Sequence, residues 1–138
     1  MSTPTETVII DSGGANLASL QYALDRLQVP SAVTSDPGRV RAAARVLLPG
    51  VGAAADAMAR LQRAGLIDTL RALTVPVLGI CLGMQLLYER SEEGHTPCLG
   101  IVPGSVRRLI PAPGRPVPHM GWNSREALIA DPLLAGLG

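Results

Sequence analysis

The stretch from Val75 to Leu87, Val-Pro-Val-Leu-Gly-Ile-Cys-Leu-Gly-Met-Gln-Leu-Leu, constrains the fold more than any other part of the chain. A short apolar run leads into Gly79-Ile80-Cys81-Leu82-Gly83 and emerges in residues that favour a helix. A buried strand that turns at once into a helix brings two backbones nearly into contact. Glycines on either side of the turn remove the side chains that would collide there. Such a junction belongs to structures in which helices lie back across a sheet.

The rest of the chain repeats the alternation. Val8-Ile9-Ile10 is a brief β-branched run, followed by Asp11 and the turn residues Gly13 and Gly14. Leu17, Leu20, Leu24 and Leu27 then make one apolar helical stripe, with Asn16 placed as N-cap. Ser31–Thr34 reads as a second strand, and Asp36-Pro37 opens a short helix through Val40 and Ala43. Val46-Leu47-Leu48 is a third strand, stopped by Pro49-Gly50; residues 53–64 form a helix ended by Gly65, and Leu66, Ile67 and Leu70 begin another turn or two. Val75–Ile80 is the fourth strand and Met84–Arg90 the helix after it. This order implies right-handed crossovers and an α/β fold, a parallel sheet covered by helices. After Gly94, Ile101-Val102, Val106–Ile110 and Val117 are strand candidates of an antiparallel excursion or sheet edge. No repeat and no internal domain boundary is read.

A length of 138 residues suits one domain. Fifteen glycines and 12 prolines make the chain loop-rich without reaching low complexity, and 47% hydrophobic residues suffice for a core. The net charge of +1, with arginines scattered along the chain, gives no footprint for nucleic acid or an anionic membrane. No apolar run reaches membrane-span length, and Met1–Glu6 lacks the features of a secretory signal. The expected compartment is cytoplasmic, where a cysteine more often means chemistry than a disulfide. Cys81 and Cys98 form no CxxC pair and have no histidine at ligand spacing, so no metal or cofactor is read.

A Gly-x-Cys-x-Gly turn between strand and helix reads as a nucleophile elbow, with Cys81 presented where the helix end favours thiolate over thiol. The competing reading is a structural cysteine in a Gly-rich turn; the strand before it and the helix after it favour the nucleophile. Leu48-Pro49-Gly50-Val51-Gly52 also ends a strand, and parallel strand ends share one rim. Its uncovered N–H groups could meet an oxyanion together with the N–H of Leu82. A plain strand-to-helix turn explains that loop about equally well.

With these motifs the chain resembles the class I glutamine amidotransferases, and among them the glutaminase subunits of imidazole glycerol phosphate synthase. The resemblance rests on Leu48–Ala53 with Ala57-Met58, on Gly79–Leu87, on Ser91-Glu92-Glu93-Gly94, on Leu99–Gly104 and on Pro118-His119-Met120-Gly121-Trp122-Asn123. It implies a flavodoxin-like amidotransferase fold. It implies that Cys81 attacks the side-chain amide of glutamine, forming a thioester and releasing ammonia. Leu82 would supply one oxyanion amide, and the loop Gly50-Val51-Gly52 the other after a peptide reorientation that responds to the partner. Gln85 and Gly52 would line the glutamine pocket. Asn16, Met120, Trp122 and Asn123 would face a (β/α)8-barrel cyclase subunit that uses the ammonia in histidine biosynthesis.

The chain also departs from the family. An aromatic residue and a second glycine usual in the first loop are replaced by Ser12 and Ala15. A positive φ at Ala15 would cost on the order of 1 kcal/mol. Cys98, where glycine is common, reads as an inert small residue. The family's general base is a His-x-Glu pair well downstream of Gly-Trp-Asn, and no such pair occurs in this sequence. His95, in a Gly-flanked loop, and His119, in another motif, are not read as substitutes. The expectation is therefore a domain without its C-terminal strands, with little or no glutaminase activity. Two other readings stay open: a non-catalytic cyclase-binding module, and a different flavodoxin-like cysteine hydrolase.

Overall fold

β1 (Thr7–Ile10) is buried along its whole length, as its apolar run requires, and it sits between two parallel neighbours. These are β2 (Ser31–Thr34) on one side and β3 (Arg45–Gly50) on the other, with β4 (Val77–Cys81) outside β3. All pairings in this sheet, ordered β2-β1-β3-β4, are parallel, as the alternating pattern predicts. The computed structural model describes residues 5–14, 16–124, 126 and 129–136. Ala15, whose backbone strain the sequence raises as a question, lies outside them, as do residues 1–4.

The connecting helices start where their caps stand. Asn16 Oδ1 accepts from the N–H of Ser19 at 3.3 Å and opens α1 (Leu17–Arg26). Asp36 Oδ1 accepts from the N–H of Arg39 at 2.7 Å, and Pro37 occupies the first turn of α2 (Pro37–Arg41). Both α3 (Ala54–Arg63) and α4 (Leu66–Arg71) bury their apolar faces, Leu61, Leu66 and Leu70 packing with Val8, Ile10, Val46 and Leu48 of the sheet. The stripe of α1 is only half-buried, and Leu27, just past its end, is 71% exposed.

Two expectations fail here. β3 does not stop at Pro49 but continues through Gly50, pairing Pro49 with Ile80 and Gly50 with Cys81. The β1 ladder on its other side ends at Leu47, so the N–H that proline lacks has no strand partner to miss. The predicted Met84–Arg90 helix is shorter. α5 spans only Leu82–Leu86, and Tyr88–Ser91 is a strand, β5. The carbonyls where helix gives way to strand are taken by the segment 98–102: Leu99 donates to Leu86, Ile101 and Val102 to Leu87, Gly100 to Tyr88 and Cys98 to Glu89, at 2.8–2.9 Å.

β5 belongs to a second, three-stranded sheet, antiparallel to β6 (Thr96–Pro97) and parallel to β7 (Val102–Val106). The excursion is thus mixed rather than antiparallel. Beyond Val106 no strand forms over the predicted residues to Ile110, nor at Val117. All these elements lie in one compact unit, Met1–Arg108. A second unit, Leu109–Gly138, contains a turn bridging Ala112 and Arg115 and a 3-10 turn at Pro132–Leu134 whose first N–H groups include one, on Leu133, held by Asp131 Oδ1 at 2.8 Å. Among the described residues no helix is long and apolar enough to cross a membrane.

Candidate active site

Cys81 is the last residue of β4 and the N-cap of α5, with φ 55° and ψ −121°. A residue with a side chain rarely occupies this part of backbone space, and holding it there costs on the order of 1–3 kcal/mol. The surrounding backbone is closely packed. A Cβ on Gly83 would run into the carbonyl oxygen of Leu48, and one on Gly79 would lie 2.5 Å from the Cα of Met84. A Cβ on Gly50 would meet the N of Gly83 at 2.8 Å. Three glycines from β3, β4 and α5 therefore let strand and helix close on one another, and the thiol is turned outward. Cys81 is exposed and unpaired with the other cysteine.

It opens on a cleft of about 1170 Å3, shared with Val51, Gly52, Leu82 and Gln85. Of the residues singled out for chemistry, only Gly50 does not line the cleft. It is buried beside it, directly across the β3–β4 ladder from Cys81. Gly52 has φ 90° and open space where its Cβ would be, while Val51 is 45% exposed. Val51 and Gly52 are thus exposed at the cleft, where an amide donor to a reacting oxygen would have to stand.

The opposite wall comes from residues that the sequence reading left without a role. Arg90, Glu92, Glu93, His95, Ser105, Arg107 and Arg108 line the same cleft. Glu92 Oε2 accepts from the N–H of Arg108 at 2.8 Å, and Arg90 Nε donates to Ser105 Oγ at 3.1 Å. Glu93 Oε2 accepts from the N–H of Ala54 at 2.9 Å. Ser91-Glu92-Glu93-Gly94 carried no periodic signal; the wall arises from β5 pairing with β7, which sequence spacing does not disclose.

Cys98 is buried, its Sγ 3.6 Å from the carbonyl of Thr96, and burial pushes its thiol up from the usual range. That environment fits the inert role read from the sequence. Asn16 is an exposed cap on the first unit. Met120 (83% exposed), Trp122 and Asn123 are exposed in the second unit, where Asn123 Nδ2 lies 2.6 Å from His119 Nε2. Among the described residues no cluster of three or more His, Cys, Asp or Glu is arranged to hold a metal.

Comparison with known proteins adds family context. The profile of the family described as glutamine amidotransferase class-I matches residues 8–137. The chain is 60% identical over 131 residues to the imidazole glycerol phosphate synthase subunit HisH of Xylella fastidiosa (strain Temecula1), covering 95% of this chain and 66% of that protein. It is 56% identical over 133 residues to the same-named subunit of Xanthomonas euvesicatoria pv. vesicatoria, covering 96% and 66%. The chain thus spans about two thirds of the length of these relatives. A solved structure described as a glutamine amidotransferase superposes with a TM-score of 0.64 over 74% of this chain and 56% of its own, at 19% identity. At that identity the likeness concerns the fold.

Proposed function

The chain belongs to the class I glutamine amidotransferase family, and on that premise we propose that it is the glutaminase component of an imidazole glycerol phosphate synthase. Cys81 is the nucleophile. Its thiolate attacks the side-chain amide carbon of glutamine, a C–S bond forms, and the carbonyl oxygen becomes an oxyanion. The N–H of Leu82 meets that oxygen from the elbow. An amide of Gly50-Val51-Gly52 meets it from the other side once a peptide of the loop reorients. Collapse breaks the C–N bond, the leaving nitrogen takes a proton from solvent, and ammonia departs. Water then cleaves the thioester to give glutamate. With no His-x-Glu pair in this sequence to deliver that proton or activate water, little activity is expected of this chain. Gln85 and Gly52 hold the substrate in the cleft, and no cofactor is needed.

The ammonia goes to a (β/α)8-barrel cyclase subunit in the cytoplasm. The two subunits would form a heterodimer whose overall reaction, ring formation with cleavage of the nucleotide precursor, has lyase character and serves histidine biosynthesis. Asn16, Met120, Trp122 and Asn123 are the residues facing that partner.

The observation that carries this reading is the strained backbone of Cys81 at an elbow of close-packed glycines, opening on a cleft with the uncovered Val51-Gly52 loop. The test mixes the chain with the cyclase and follows both complex formation and Cys81 modification by the chloroketone analogue of glutamine. Binding with modification supports the glutaminase reading. Binding with Cys81 untouched would identify a non-catalytic cyclase-binding module instead.

A further inference from the structure

The loop that exposes Val51 and Gly52 at the cleft is short, and a side chain from elsewhere in the chain grips it at each end. At its start Ser12, only 3% exposed, donates its hydroxyl to the carbonyl of Pro49 at 3.0 Å across 37 residues of sequence. At its far end Glu93 Oε2 accepts from the N–H of Ala54 at 2.9 Å, across 39 residues. Each contact has a local reason. Pro49 is where the β1 ladder has already ended, so its carbonyl on that side has no strand N–H to accept from. Ala53, the N-cap of α3, has no side chain able to bond to the first helical N–H groups, and Glu93 supplies the missing acceptor. Between the two grips lie Gly50, Val51, Gly52 and Ala53. Gly52 is at φ 90° with nothing packed over it, so the span has freedom only in its middle.

We infer that Ser12 and Glu93 are positioning residues that clamp the Pro49–Ala54 loop and fix where its amides point toward Cys81. The inference rests on the glutaminase reading above and deepens it. Ser12 acts on the Pro49–Gly50 peptide, next to the residue paired with Cys81. Glu93 stops the loop from pulling away with α3, and its own N–H is held by Ser91 Oγ at 3.2 Å while its carbonyl accepts from Thr96 Oγ1 at 2.8 Å. The clamp therefore ties the loop to the buried end of β5. A loop held at its ends and free at its centre can turn one peptide without moving the strand or the helix that it joins.

Two reagents separate positioning from other roles. The chloroketone analogue of glutamine modifies a thiolate with formation of a C–S bond and loss of chloride, through addition to a carbonyl whose oxygen needs the loop. Iodoacetamide alkylates the same thiolate by direct displacement and needs no oxyanion donor. Ser12→Ala, Glu93→Ala and Glu93→Gln are compared with the unmodified chain, with circular dichroism confirming that each is folded. The clamp requires Ser12→Ala and Glu93→Ala to slow the saturating rate with the chloroketone at least about tenfold, since small misplacements of catalytic groups are costly. The iodoacetamide rate should stay within about twofold, and Glu93→Gln, which keeps an oxygen acceptor, should recover most of the loss. Unchanged chloroketone rates would overturn the inference. So would equal slowing with both reagents, or a change confined to the half-saturating concentration, which would make Glu93 a direct ligand. Failure of the unmodified chain to react saturably with the chloroketone, while it reacts with iodoacetamide, would count against the glutaminase reading itself.

Discussion

Cys81 holds its unfavourable backbone in a close-packed junction: Gly79, Gly83 and Gly50 pack against Met84, Leu48 and Gly83 with no room for a methyl group. A Gly83→Ala substitution forces β3 and α5 apart. It should destabilise the chain by about 2 kcal/mol or more in urea unfolding, and slow glutamine-analogue labelling of Cys81 even where the fold survives. The two cysteines should separate cleanly. Cys81 alkylates in the folded protein, while buried Cys98 reacts only on unfolding. Burial raises the Cys98 thiol in the folded state relative to the unfolded chain. Its contribution to stability is therefore fully present below the ordinary thiol range, about pH 8.5, and is lost as pH rises from there through the raised folded value. Unfolding midpoints measured from neutral to alkaline pH should fall less steeply for Cys98→Ala than for the unmodified chain.

At the scale of the element, α2 is five residues long and depends on its cap. Asp36→Ala removes the 2.7 Å bond to the N–H of Arg39 and should cost about 0.5–2 kcal/mol in the same urea experiment. Three of the parallel strands, β1, β3 and β4, were readable as short apolar runs and β2 as Ser-Ala-Val-Thr after Pro30, and the caps because Asn16 and Asp36 stand directly before helical segments. Tyr88–Ser91 was not readable. It follows three helix-favouring residues and becomes a strand because the segment 98–102 takes the carbonyls of Leu86, Leu87 and Glu89. That pairing is long-range, and with it went the cleft's second wall. Glu93 was visible only as part of a motif, because its partner, the N–H of Ala54, lies 39 residues away. The Cys81 elbow could be read from local spacing; the side chains that hydrogen-bond the neighbouring loop could not.

For the molecule as a whole, the elbow, the uncovered loop and the charged wall meet in one cleft on the first unit, and the family match spans nearly the whole chain. The central claim is that Cys81 is a nucleophile aimed at a bound glutamine. The direct measurement is mass spectrometry of the intact chain after treatment with the chloroketone analogue, with and without L-glutamine. The expected result is one adduct on Cys81, formed at a saturable rate, suppressed by L-glutamine and absent from Cys81→Ala. An adduct on Cys98, or labelling of Cys81 that glutamine does not suppress, would contradict it.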